Sequence, residues 1–83
     1  MSYLFRQIVD AIILKLQQGG YVNEANEVKD VSIAGFMSMT ELFGEVCATI
    51  QAIIEQDVKI IKLISKEINE LKAFGMSMDL KVF

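Results

Sequence analysis

Residues 43–71 read FGEVCATIQAIIEQDVKIIKLISKEINEL, and the spacing of their apolar side chains decides the fold class. Stepping alternately by four and three, Phe43, Cys47, Ile50, Ile54, Asp57, Ile61, Ile64, Ile68 and Leu71 share one side of a helix. All but Asp57 are apolar. A strand repeats every two residues and would scatter them over both faces, so the stretch predicts helix. In heptad terms Cys47, Ile54, Ile61 and Ile68 occupy a, while Phe43, Ile50, Ile64 and Leu71 occupy d. Val46, Ile53 and Ile60 make g apolar as well. A face this wide, with isoleucine at both a and d, favours a bundle of three or more helices over a two-stranded zipper.

Working outward, no proline interrupts the pattern. The spacing predicts a long helix over about 31–74, started by Asp30 or Ser32 and stopped by Gly75. A softer point lies near 38–44, where Ser38 offers a fresh cap, Glu41 suits a first turn and Gly44 weakens continuity. Towards the N-terminus, Phe5, Ile8, Val9, Ile12, Ile13 and Leu16 predict an amphipathic helix over about 3–18, ended by Gly19-Gly20. Residues 19–30 are the most polar stretch and read as a connection holding at most a helical turn; weak alternation over Val28–Ile33 leaves a short strand open. The tail, 75–83, carries Leu80, Val82 and Phe83, which suit docking against the rest of the chain.

The expectation is therefore one all-α domain spanning 1–83, a short N-terminal helix packed on a long C-terminal one as a helical hairpin. A helix of about 16 residues is about 24 Å long and one of about 42 is about 63 Å, so the short arm covers less than half of the stripe. Of the 83 residues, 53% are apolar, more than so small a chain readily hides, since it buries only about 60–65% of its extended surface. This mismatch predicts assembly into an oligomeric helical bundle with a second copy as partner; a break of the long helix near 38–44 or 55–57 would weaken it, because three shorter helices could then close on themselves. The intrachain seam is assigned to Phe5, Ile8, Ile12 and Leu16, and the oligomer interface to Ile54, Ile61, Ile64, Ile68 and Leu71. On that view Ile61→Asp leaves an unfolded or aggregating monomer. Asp57, the discordant member, marks a helix end, a bend or a solvated gap, or else a buried polar group that fixes register.

The composition narrows the function classes. A net charge of −3 and the absence of a dense Lys/Arg cluster argue against a nucleic-acid footprint. Without histidine the commonest general base is missing, and no glycine-rich phosphate loop or zinc-type cysteine pair appears. No catalytic residue, metal ligand or cofactor is assigned, and the chain is expected not to be an enzyme. Cys47, the one cysteine, sits in the stripe and reads as a buried thiol of a reducing, cytoplasmic setting. The stretch free of charged side chains runs only from Val31 to Thr40, short of the roughly 18–20 residues of a membrane span. The tripeptide Met-Ser-Met occurs at Met37–Met39 and at Met76–Met78; flexible packing at helix junctions accounts for both better than soft-metal binding.

These features describe a non-enzymatic interaction or assembly protein, such as a small adaptor, regulator, chaperone-like protein or assembly subunit. A small membrane-associated protein is one alternative. Another comes from Gly35-Phe36-Met37-Ser38-Met39, a glycine three residues before a serine that an apolar residue follows, placed ahead of an amphipathic helix. The stretch resembles the attachment motif of acyl carrier proteins, small acidic helical domains, and the resemblance implies Ser38 as the site of a phosphopantetheine arm. The family has aspartate where Met37 stands, and its broken entry to a third helix has no counterpart in the apolar pattern.

Overall fold

The computed structural model describes residues 3–35 and 38–79, which form four helices, α1 (Tyr3–Gln18), α2 (Val22–Ser32), α3 (Met39–Gln56) and α4 (Lys59–Ser77). Apart from the short links between helices and the turn after α4, the described residues are helical. The first helix buries Phe5, Ile8, Val9, Ile12 and Leu16 on one face. It stops where Gly20 takes φ 88°, a left-handed conformation that glycine adopts without penalty. Gly20 N–H then donates to the Gln17 carbonyl at 3.1 Å and Tyr21 N–H to the Leu16 carbonyl at 2.8 Å, the paired bonds of a Schellman cap. Gly19 meets the last helix closely: a Cβ there would stand 2.8 Å from Leu63 Cδ2.

The expected polar connection over 19–30 is instead the helix α2, and no strand forms over Val28–Ile33. Its buried stripe is narrow, Ala25, Val28 and Ser32, which is why hydropathy reads the segment as a loop. Ser32 pays for its burial in hydrogen bonds. Its hydroxyl donates to the Lys29 carbonyl at 2.8 Å, and Arg6 of α1 donates Nη1 to Ser32 Oγ at 3.2 Å and Nη2 to the Ser32 carbonyl at 3.1 Å. That carbonyl lies at the helix end, where backbone acceptors lack intrahelical partners.

The expected long helix over 31–74 is likewise corrected, and at two places. Ser38 starts α3 anew, accepting the Glu41 N–H on its hydroxyl at 3.2 Å. At Asp57 the chain leaves helical conformation (φ −145°, ψ 97°). The Asp57 carboxylate then accepts the Lys59 N–H at 3.1 Å, and its carbonyl accepts the Ile60 N–H at 3.1 Å. Kept in a continuous helix, Asp57 would put a charged group at a d position facing the seam, where desolvation costs several kcal/mol. As the start of a new helix it satisfies orphan backbone donors, worth about 1 kcal/mol. The chain folds where that residue gains most. A helical hairpin thereby becomes a four-helix bundle.

The helices neighbour one another in the order α1, α2, α3, α4 and back to α1, and the α3–α4 seam is the loosest of the four. Phe5, Phe43 and Phe74, from the start of α1, the start of α3 and the end of α4, meet with ring centroids 5.5–5.9 Å apart and pin one end of the core. The longest dimension is 31 Å and the radius of gyration 11.7 Å, close to the roughly 12 Å of a self-contained domain of this length. Helix length therefore no longer calls for a second copy. The tail beyond Asp79, with Leu80, Val82 and Phe83, lies outside the described residues.

Candidate functional site

Breaking the helix at Asp57 sorts the predicted interface into two groups. Ile64 and Leu71 are fully buried in the chain's own core and are withdrawn from any contact with a second copy. Ile54 and Ile68 are half-buried, and Ile61 is 42% exposed. These last three, all former a positions, come together with Gln51, Glu55 and Lys72 in a cleft of about 300 Å³ between α3 and α4. The seam residues Phe5, Ile8, Ile12 and Leu16 are buried where α1 meets the core. Since Ile61 is partly solvated already, Ile61→Asp is now expected to leave the fold standing.

The helices flanking the cleft carry opposite charge. The arm α3 holds Glu41, Glu45 and Glu55 and neither lysine nor arginine. On α4, Lys59, Lys62, Lys66 and Lys72 are exposed, with Glu70 the one exposed acid. The other acid of α4, Glu67, is 3% exposed and paired: Lys15 Nζ of α1 lies 3.0 Å from its Oε1 and 2.9 Å from its Oε2. Sequence reasoning missed this pair. The signal was present, because Glu67 continues the g positions Val46, Ile53 and Ile60 and so had to face inward.

Ser38 stands exposed at the N-terminus of acidic α3, its hydroxyl oxygen engaged in the cap. Phe36 and Met37 of the same motif lie outside the described residues. Within α4, Ile64 departs from helical geometry (φ −117°, ψ 19°), which sets a short first segment, 59–63, apart from a longer one reaching Ser77. Beside the α3–α4 link, burial first and the Asp57 carboxylate second push the Tyr21 phenol above its ordinary value. Cys47 is buried in the core, and burial pushes its thiol up to about 11. A thiol so placed is a poor nucleophile near neutrality. Of the second Met-Ser-Met, Met76 and Met78 are exposed, and no cluster of three or more His, Cys, Asp or Glu suited to a metal occurs among the described residues. Comparison with protein-family models, with curated proteins and with solved structures finds no match.

Proposed function

We propose that this chain is a non-enzymatic carrier-type domain that presents Ser38 as the attachment point of a phosphopantetheine-type arm. The observation that carries the reading is the setting of Ser38: an exposed serine at the start of an acidic helix, in a four-helix bundle whose last helix is split at Ile64. The split, which sets residues 59–63 apart inside the fourth helix and not at the entry to the third, supports the reading as a broken helix of the kind that the resemblance implies. The chemistry of the position agrees. A phosphodiester on Ser38 Oγ would sit at the N-terminus of α3, where free amide groups and the helix dipole stabilise negative charge. Met37 stands where the family has aspartate, a departure that the test below addresses. The test is incubation with a phosphopantetheinyl transferase and coenzyme A, read by intact mass. The expected result is a gain of one phosphopantetheinyl group in the wild-type chain and none in Ser38→Ala. An unmodified wild-type chain, under conditions that load Met37→Asp, overturns the proposal.

A second reading is favoured by one observation, the three isoleucines Ile54, Ile61 and Ile68 that line the α3–α4 cleft. Here the chain is an adaptor, regulator, chaperone-like protein or assembly subunit that meets another protein, or itself, across the α3–α4 seam. Its test is a photo-reactive residue in place of Ser65, which is exposed one turn from both Ile61 and Ile68, compared with one at Glu27 of α2. Adducts formed from position 65 alone support the seam as a contact face; none, or equal yields from both, overturn it. No helix among the described residues is long and apolar enough to cross a membrane.

A further inference from the structure

Charge in this bundle is segregated by side. The adjacent helices α2 and α3 carry Glu24, Glu27, Asp30, Glu41, Glu45 and Glu55 against Lys29 alone. The other adjacent pair, α4 and α1, carries Lys59, Lys62, Lys66, Lys72, Arg6 and Lys15 against Asp10, Glu67 and Glu70. The α3–α4 seam is where the acidic side meets the basic one, and it is also where the bundle is loosest and its apolar cleft opens.

We infer that this seam is closed by a second copy of the chain, related by a two-fold axis that runs along the helices and sets α3 of each copy over α4 of the other. The inference rests on the reading of the seam as a contact face. The two arms contain 18 and 19 residues, about 27 and 28 Å of helix, joined by only Asp57 and Val58 inside a molecule 31 Å long. They must fold back on each other, so residues equally far from the link lie at similar height. Glu55 and Lys62 are both near the link, whereas Glu41 and Lys72 are both near the far end. An axis along the helices carries Glu55 to Lys62 of the partner copy and Glu41 towards Lys72, twice each by symmetry. An axis across the helices would instead lay the acids of α3 on those of its twin and lysines on lysines, a repulsive match. Between the charged rims, Ile54, Ile61 and Ile68 of each copy bury one another, and Gly44, Ala48 and Ala52 keep the outer side of α3 low beside them. The exposed Ile61 enters the opposing cleft.

Sedimentation equilibrium over a range of concentrations, with native mass spectrometry of mixtures, tests this. The wild-type chain is expected to form a reversible dimer that weakens at about 1 M salt, where the screening length is about 3 Å. Glu55→Lys alone and Lys62→Glu alone should each weaken it about tenfold or more, since each reversal turns two attractions into repulsions. Mixed in equal amounts, these two variants should pair with each other, because both contacts are then attractive again. A dimer abolished by Ile61→Asp yet indifferent to both reversals overturns the α3-on-α4 arrangement and leaves the seam as a contact face. A wild-type monomer at every concentration overturns self-pairing, while adducts to a different protein from position 65 would still support the seam. Absence of both results would end the two readings together.

Discussion

The α1–α4 seam and the α3–α4 seam are built from the same stripe of isoleucine and leucine, yet one is shut and the other open. Along α1–α4 the contact is close enough that Gly19 meets Leu63, that Phe5 packs on Phe74, and that Lys15 and Glu67 make an ion pair with a buried carboxylate. Along α3–α4, Ile54, Ile61 and Ile68 line a cleft and Ile61 reaches solvent. The difference lies in which positions face inward. In α3 the d and g residues Phe43, Val46, Ile50 and Ile53 are buried, and in α4 their counterparts Ile60, Ile64, Glu67 and Leu71 are, so that the a residues Ile54, Ile61 and Ile68 of both helices lie on the flank. The chain reverses at Asp57 with the same two positions of the heptad facing the core on either side of it.

The largest effect should come from damaging the closed seam. Leu71→Ala removes most of a fully buried side chain, and the lost transfer energy plus the cavity should cost about 2–5 kcal/mol. Urea unfolding followed by circular dichroism measures it. A cost below about 1 kcal/mol would mean that Leu71 is not packed as described.

Next in size is an asymmetry within the ion pair. Lys15→Ala should cost about 2–3 kcal/mol, because it strands the Glu67 carboxylate in the interior without its cation. Glu67→Leu should be close to neutral, since the Lys15 side chain, 36% exposed, can turn its ammonium to water. Equal losses in the two variants would contradict the burial difference between the partners.

Alkaline pH offers a gentler probe of the core behind both seams. The Cys47 thiol is raised from 9.0 to about 11 by burial, so the folded state favours the protonated form more than the unfolded state does. The stability this confers is complete below pH 9 and is lost as pH rises through 11. Denaturant midpoints should therefore fall between pH 9 and 11, less so in Cys47→Ala. Aromatic disulfide reagents should label Cys47 at pH 8 only as fast as the chain unfolds. Rapid labelling of the folded protein would refute the burial.

Much of this architecture was legible in the residues. The face of α1 followed from Phe5, Ile8, Ile12 and Leu16 at helical spacing, and its end from two glycines. Ser38 was legible as a cap because a hydroxyl with glutamate three residues on suits a first turn. What stayed hidden depended on competition between alternatives that a linear pattern cannot weigh. At Asp57 the residues offered a helix end, a bend, a solvated gap or a buried group fixing register, and it is the cost of facing a carboxylate into the seam that selects the helix end. The segment α2 hid because a stripe of Ala25, Val28 and Ser32 is too narrow to register as amphipathic; Arg6, 26 residues away in sequence, is what makes burying Ser32 tolerable. The bend at Ile64 has no breaker residue at all. It arises in a fully buried isoleucine, flanked by Leu63 against the α1–α2 turn, and so reflects tertiary packing, which the local sequence does not carry.

The smallest expected effect on stability is the most informative about the comparison. Ile61→Asp at the open seam replaces a half-solvated side chain with a carboxylate that can point to water, so the monomer should lose no more than about 1 kcal/mol and keep its helicity. The same substitution at fully buried Ile64 would put an unpaired charge in the core and abolish folding. If Ile61→Asp unfolds the chain, the isoleucine is structural, the seam closes in solution within one copy, and no face remains for a partner. If it leaves the fold intact while removing self-association, the residue belongs to the surface that the break at Asp57 created. The two seams then divide the labour of one stripe, α1–α4 holding the molecule together and α3–α4 meeting what lies outside it.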